Sequence, residues 1–491
     1  MAKGKAKGET NHWFILILVA LAQFMVVLDV SIVNVALPSI QHTFNMSQTS
    51  LQWIVTAYTL TFGGFLLLGG RASDLFGRRK VFLSGVAVFT FASLIAGLSQ
   101  SGGMLIIMRG IQGLAGAFMS PAALSIVLVT YREGHERNVA LSVWGAVAAG
   151  GAAVGVLLGG ILTQYLDWRW NFFVNVPVGI AVVFFSLRLL PEHESEAEHN
   201  NLDLPGAILG TGGLMMLVYA LVKAPAMGWT DMTTLAYFAI SFIALAGFIF
   251  NGAKAKYPLM PPHLFQIRNL VGADSMMLFQ TAGMFSIFFF TTLYLQEVLG
   301  YTPIKTGVSF LIIPVVIAIV ATNVPRVIQK IGYKPILIVA PLFVSAGLYM
   351  LSFIKVDGTF WGNVAPGMIV MALGMGATFV AVTIAATSGV PADESGVASG
   401  LLNTSQQVGG AIGLAVLTGI ATSASAEYIK NLGLQSAPTA HQVAAATVHG
   451  FHKGYLIAST FGIIASLIAV FVIKQGKVTK EDFSPEKMVA G

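Results

Sequence analysis

The sequence predicts an all-α polytopic membrane protein with 14 transmembrane helices. Fourteen stretches are apolar for long enough to cross a hydrocarbon core of roughly 30 Å, which takes about 20 helical residues. Of the 491 residues, 56% are hydrophobic and 10% charged, so a water-soluble fold would leave most of its surface apolar. Most connections between the stretches are too short to hold a soluble domain.

The first span, residues 13–36, follows Lys3, Lys5 and Lys7 as a signal peptide would. It is too long for one, and no small-residue cleavage pattern follows, so it is expected to stay as a helix. Further spans are expected at 51–70, 81–98, 104–131, 139–163 and 171–190, completing an N-terminal unit over 1–190. The run PEHESEAEHNNLD, 191–203, reads as a solvated acidic linker, because its glutamates keep no metal-ligand or aromatic spacing. Spans at 204–222 and 232–252 with a basic loop make a unit over 204–268. Spans at 269–296, 306–325, 335–354, 362–386, 397–421 and 454–473, with a C-terminal tail, make the last unit, 269–491. The stretch 422–453, rich in Ala, Ser and His, is expected to be a loop. Its His441, His449 and His452 offer no i, i+4 pair, so no metal site is expected.

Lysine and arginine are retained on the cytoplasmic side of a membrane. With a cytoplasmic N-terminus, 20 of the 27 basic residues fall on inner segments and 6 on outer ones, Arg109 lying within a span. Both termini are therefore expected in the cytoplasm of a multi-pass plasma-membrane protein. Asp167-Trp168-Arg169-Trp170 then falls at the outer face, where tryptophans suit an aromatic belt. A pI near 9.3 invites an anionic partner. The basic residues are scattered between apolar spans and form no stripe with aromatics, which argues against nucleic acid. Zero cysteines leave no disulfide, thiolate metal site or cysteine nucleophile. No phosphate loop, Gly-x-Ser-x-Gly elbow or His-Glu-x-x-His pair occurs, so neither an enzyme nor an ATP-driven pump is expected, and no cofactor.

A charge inside a span is costly and therefore a functional hypothesis. Asp29 lies about seven residues before the outer end of the first span, and Arg109 about six after the outer start of the fourth. At about 1.5 Å per residue both sit roughly 10 Å below the outer boundary, matched in depth. Two readings stand: an ion pair that locks two helices, or a protonatable carboxylate tuned by a fixed cation.

Further patterns surround the pair. Leu28-Asp29-Val30-Ser31-Ile32-Val33-Asn34-Val35-Ala36-Leu37-Pro38 closes the first span, and Gly70-x-x-x-Asp74-x-x-Gly77-Arg78-Arg79-Lys80 joins the second to the third. Gly77 permits a tight turn there, and the basic triplet holds the loop inside. In the fourth span Arg109, Gln112, Gly113 and Gly116 share one helical face. In the fifth, Gly151, Gly155 and Gly159 form a stripe for close helix packing, and Gly160 follows. Trp168-Arg169-Trp170-x-Phe172-Phe173-x-Asn175-x-Pro177, Tyr294-Leu295-Gln296 and Gly396-Val397-Ala398-Ser399-Gly400 continue the series.

Taken together, and over nearly the whole chain, these residues resemble the 14-helix drug:proton antiporter branch of the major facilitator superfamily. The run Gly155-Val156-x-x-Gly159-Gly160 departs from its Gly-Pro-x-x-Gly-Gly pattern, Val156 replacing the proline. The resemblance implies two six-helix bundles with two helices inserted between them, and alternating access around a site near the midplane. It implies Asp29 and Arg109 as the proton-coupling pair, Gly70, Asp74, Gly77, Arg78 and Arg79 as a conformational motif, and Gly151, Gly155, Gly159 and Gly160 as a packing motif. Expected partners are protons, a small lipophilic substrate and the lipid bilayer, giving proton-coupled multidrug efflux.

Polar stripes suggest the walls of the substrate site: Asn403, Gln406 and Gln407 in the thirteenth span, Gln280 and Tyr294 in the ninth, with Asn34 and Gln112 opposite. Packing through side-chain hydrogen bonds accounts for these stripes equally well. Asp274 and Glu297 read as interfacial. A proton-coupled transporter of one metabolite or lipid is the alternative on the same scaffold, and a membrane receptor or enzyme the alternative from another class.

Overall fold

A computed structural model describes residues 12–131, 135–190, 203–391, 394–434 and 436–475. The lysines of the N-terminal tail, residues 191–202 of the acidic linker and the tail beyond 475 lie outside the described residues. Fourteen of the described helices are long and apolar enough to cross a membrane. They are α1 (His12–Phe44), α2 (Gln48–Phe76), α3 (Arg78–Gly97), α4 (Gly102–Thr130), α5 (Val139–Tyr165), α6 (Trp170–Leu189), α7 (Leu204–Ala224), α8 (Met232–Lys254), α9 (Arg268–Val298), α10 (Pro303–Ile331), α11 (Tyr333–Leu351), α12 (Phe360–Thr387), α13 (Gly396–Asn431) and α14 (Ala440–Phe471). An even number of crossings brings both ends of the chain to one face, called here the termini face.

Two expected boundaries move. Pro38 reads as a stop, yet α1 continues through it to Phe44. A proline inside a membrane helix is tolerated where neighbouring helices surround the freed backbone, and Pro38 is buried. The presumed loop 422–453 is mostly helical: α13 runs on to Asn431, and α14 starts at Ala440. Thr439 starts α14 through a capping box, its side chain accepting from the Gln442 amide while Gln442 Oε1 accepts from the Thr439 amide.

Within the first six helices α2 and α3 pack on α4, α1 on α5, and α3 on α6; within the last six α9 packs on α13, and α11 on α12 and α14. The two bundles meet along α2 with α13 and α5 with α10. The inserted α7 and α8 pair with each other, and α7 lies against both α2 and α13, covering that seam. Asp203 fastens the pair at the termini face. One carboxylate oxygen accepts from Gly206 N at 2.9 Å and Asn251 Nδ2 at 2.6 Å, the other from Leu259 N at 3.2 Å.

The apolar cores show how the bundles lean. Near the face opposite the termini, the far face, one cluster runs across both bundles, joining Ile32, Leu37 and Phe172 to Phe290, Phe310 and Leu417. Toward the termini face each bundle has its own, around Phe82 and Met119 in the first and around Ile328 and Leu401 in the second. Gln296 Nε2 donates to Val35 O at 2.9 Å and Ile304 N to Gln164 Oε1 at 3.2 Å, tying the bundles at the far face.

Candidate functional site

The one buried ion pair between spans among the described residues joins Asp29 of α1 to Arg109 of α4, with 0% and 2% of their side-chain surfaces exposed. Arg109 Nη1 donates to Asp29 Oδ2. The other carboxylate oxygen accepts from Gln112 Nε2 and Asn175 Nδ2, both at 3.1 Å. Arg109 has partners besides: Nη1 donates to Gln112 Oε1 at 3.0 Å, Nε to Ile54 O at 3.0 Å, and its guanidinium lies 4.3 Å from the Tyr58 ring centroid. Gln112 Nε2 also donates to Ser93 Oγ at 2.8 Å, and Ser93 to Phe89 O. The carboxylate of α1 is thus bonded directly from α4 and α6, while α2 and α3 join the network through Arg109 and Gln112. A charge taken from water survives only with such partners.

Asp29 and Arg109, expected as neighbours, are in direct contact. With α1 extended to Phe44, Asp29 stands near the middle of its helix, while Arg109 is seven residues into α4. Gln112, grouped with substrate contacts on its helical face, is instead fully buried in this network. Of the other partners, Asn175 has a sequence signal in Asn175-x-Pro177, whereas Ser93 and Tyr58 have none.

The glycine stripe meets α1 on either side of Asp29. A Cβ at Gly155 would lie 2.6 Å from Ser31 Cβ and 3.1 Å from Leu28 O, one at Gly159 2.7 Å from Ile32 O, and one at Gly151 3.2 Å from Val27 Cβ. Gly160 faces the other bundle, where a Cβ would come within 2.7 Å of Pro303 O. Val156, in the place of the expected proline, is buried, and its carbonyl touches Gly307 of α10. In the loop between α2 and α3, Gly77 adopts φ 92°, a conformation open to glycine at little cost. Arg79 Nη2 donates to Leu187 O at 2.6 Å, pulling the loop onto the end of α6. Arg78 is partly exposed, Asp74 exposed, and Gly70 packs loosely on Pro121.

The remaining polar candidates divide. Asn403, Gln406 and Gln407 are partly exposed on α13, beside the α2 seam where Thr404 Oγ1 donates to Gly63 O at 3.0 Å. Asn34 is nearly buried, its amide donating to Val30 O. Tyr294 is enclosed at the far face, donating to Lys355 O at 2.7 Å. Gln280 is buried in the second bundle with neither amide atom hydrogen-bonded. Asp274 is partly buried, its Oδ1 enclosed without a donor, and Glu297 is exposed at the far face. Trp168, expected in an interfacial belt, is packed inside between Phe44 and Phe172 and donates to Thr43 Oγ1 at 3.0 Å; Trp170 is exposed.

Two six-helix bundles meeting along α2–α13 and α5–α10, with a buried ion pair in the first, are the architecture of a membrane carrier. The chain belongs to the Major Facilitator Superfamily, whose profile matches residues 19–414. It is 38% identical to the puromycin resistance protein pur8 of Streptomyces alboniger, over 93% of this chain and 89% of that one. It is also 38% identical to the cephamycin export protein CmcT of Amycolatopsis lactamdurans, over 88% and 90%. The fold matches a bacterial homolog of the human lysosomal transporter Spinster with a TM-score of 0.67 at 15% identity, covering 95% of this chain and 97% of that one.

Proposed function

We propose that this chain exports lipophilic small molecules across the plasma membrane in exchange for protons, by alternating access between its two bundles. Relatives named for puromycin resistance and cephamycin export support the substrate class. The enclosed Asp29 carboxylate carries the coupling. When a proton binds it, the ion pair is discharged, while Arg109 keeps Gln112, Ile54 O and the Tyr58 ring as partners. The site therefore has two arrangements that differ chiefly in what holds α1. Since α1 rests on the glycines of α5, and α5 on α10, loosening α1 reaches the interface between the bundles.

Gly70, Asp74, Gly77, Arg78 and Arg79 shape the termini-face loop, and the partly exposed Asn403, Gln406 and Gln407 line the substrate path. A proton moving inward supplies about 2.3 kcal/mol per 100 mV, so at ~150 mV one proton sustains a gradient of a few hundredfold. One carboxylate gives one proton per cycle. Exchange of a monovalent cation is then electroneutral and driven by the pH gradient alone, whereas export of a neutral substrate also responds to voltage. Flux measured in proteoliposomes under imposed potentials checks this, and equal voltage sensitivity for both substrates contradicts it.

The basic-residue bias supports a cytoplasmic termini face, with the far face outside. Reporter fusions near Glu196 and in the C-terminal tail are expected to report the cytoplasm, and one near Ser436 the outside. The reverse pattern would invert the proposed direction.

A further inference from the structure

At the far face α2, α4, α7 and α13 line an open pocket of about 770 Å3, apart from the Asp29 network. That volume suits a ligand of drug or lipid-headgroup size. Its wall carries one cation, Lys223, and the hydroxyls of Thr49, Thr422 and Ser423, with no carboxylate among the lining residues. Trp53 and Tyr219 form an aromatic side, their centroids 6.2 Å apart, and the Lys223 ammonium stands 5.7 Å from the Tyr219 centroid. Along α7 from Lys223, the partly buried Leu214 and Met215 continue an apolar track beside Leu60 and Val218.

A second observation lies next to the cavity. Thr404 bonded to Gly63, with Gly400 against Leu67, sets α2 and α13 antiparallel. Continued toward the far face, this register sets Thr418 opposite Thr49 of the pocket wall and Gln52 opposite Ala415, one helical turn away. Gln52 is 0% exposed with both amide atoms lacking a partner, and the buried Thr418 hydroxyl lacks one too. Buried polar groups of this kind are normally satisfied, and these two lie behind the pocket wall, not in it.

We propose that this cavity binds an anionic phospholipid. Its phosphate pairs with Lys223 and the hydroxyls of Thr49, Thr422 and Ser423, and an acyl chain follows the track along α7. The lone cation selects a net negative headgroup over a zwitterionic one. A lysine at the end of a membrane helix stands at headgroup depth, its stem along apolar surface. Because α2 and α13 belong to different bundles and α7 to the inserted pair, the bound lipid braces three parts of the molecule at once.

The test uses the delipidated full chain in neutral detergent, titrated with phosphatidylglycerol, phosphatidylcholine or inorganic phosphate and followed by thermal shift and native mass spectrometry. Phosphatidylglycerol is expected to raise the melting temperature and to bind at least about tenfold tighter than phosphatidylcholine, with phosphate alone inert. Lys223→Gln, a change at an exposed side chain, should abolish the preference without altering the ligand-free melting temperature. A phosphatidylglycerol with brominated chains should quench wild-type fluorescence more than that of Trp53→Phe. Equal binding of the two lipids, an undiminished preference in Lys223→Gln, stabilisation by phosphate alone, or quenching indifferent to Trp53 would each overturn the assignment.

Discussion

Asp29→Asn is expected to abolish pH-driven transport while leaving the protein folded and able to bind neutral substrates. Asparagine matches aspartate in size and retains an oxygen to accept from Arg109, Gln112 or Asn175, but it does not titrate. Arg109→Ala is expected to fail differently. It removes the charge facing Asp29, the bond to Ile54 O and the stacking on Tyr58, leaving a buried carboxylate with amide donors only. Breaking a buried pair in this way costs about 3–5 kcal/mol, so both a lowered melting temperature and lost coupling are predicted. Arg109→Lys should retain part of the activity, since a cation remains although the planar fork is lost. Transport driven by a pH step, measured beside a melting curve for each variant, separates these outcomes. Wild-type export by Asp29→Asn would make the pair structural and direct attention to Asp274.

Gly155→Val is expected to reduce transport by more than about tenfold although it lies on a different helix from the carboxylate. Carbon atoms pack at about 3.5–4.0 Å. A Cβ at 155 would lie 2.6 Å from Ser31 Cβ, so α1 must back away by about 1 Å. Leu28 and Ser31 flank Asp29, and a shift of that size breaks its 3.1 Å bonds to Gln112 and Asn175. Overpacking of this kind costs about 1–3 kcal/mol. Gly150→Ala is the matched control, because a Cβ there meets nothing within 4 Å. Equal transport by the two variants would remove the α1–α5 contact from the mechanism.

Much of this was legible from residues whose cost in a membrane is plain. Asp29 and Arg109 stand out because a charge in an apolar span needs a partner, and the glycines of α5 because their spacing makes a stripe. Periodicity says that Gln112 shares a face with Arg109 but not which helix that face meets, and its bond to Asp29 emerges only in the fold. Asn175 and Ser93 are ordinary polar residues of short reach, and only the crossing of five helices brings them into one network, Asn175 on Asp29 and Ser93 on Gln112. Pro38 misled because helix-breaking rules drawn from water weaken where surrounding helices enclose the backbone. The far ends of α13 and α14 were hidden by His, Ser and Lys, which lower hydropathy without preventing helix formation; the Thr439 and Gln442 pair was their surviving signal. The closure of the bundles at one face depends on apolar side chains meeting across the interface, and no local pattern announces it.

The central claim is that export and proton movement are one process. Its most direct test places only this protein in liposomes loaded with a pH-sensitive dye and adds a transported lipophile with no imposed gradient. Substrate movement in one direction is predicted to drive protons in the other, in fixed ratio, and Asp29→Asn liposomes are predicted to show no proton signal. Substrate crossing at the wild-type rate with no accompanying change in pH would contradict the account.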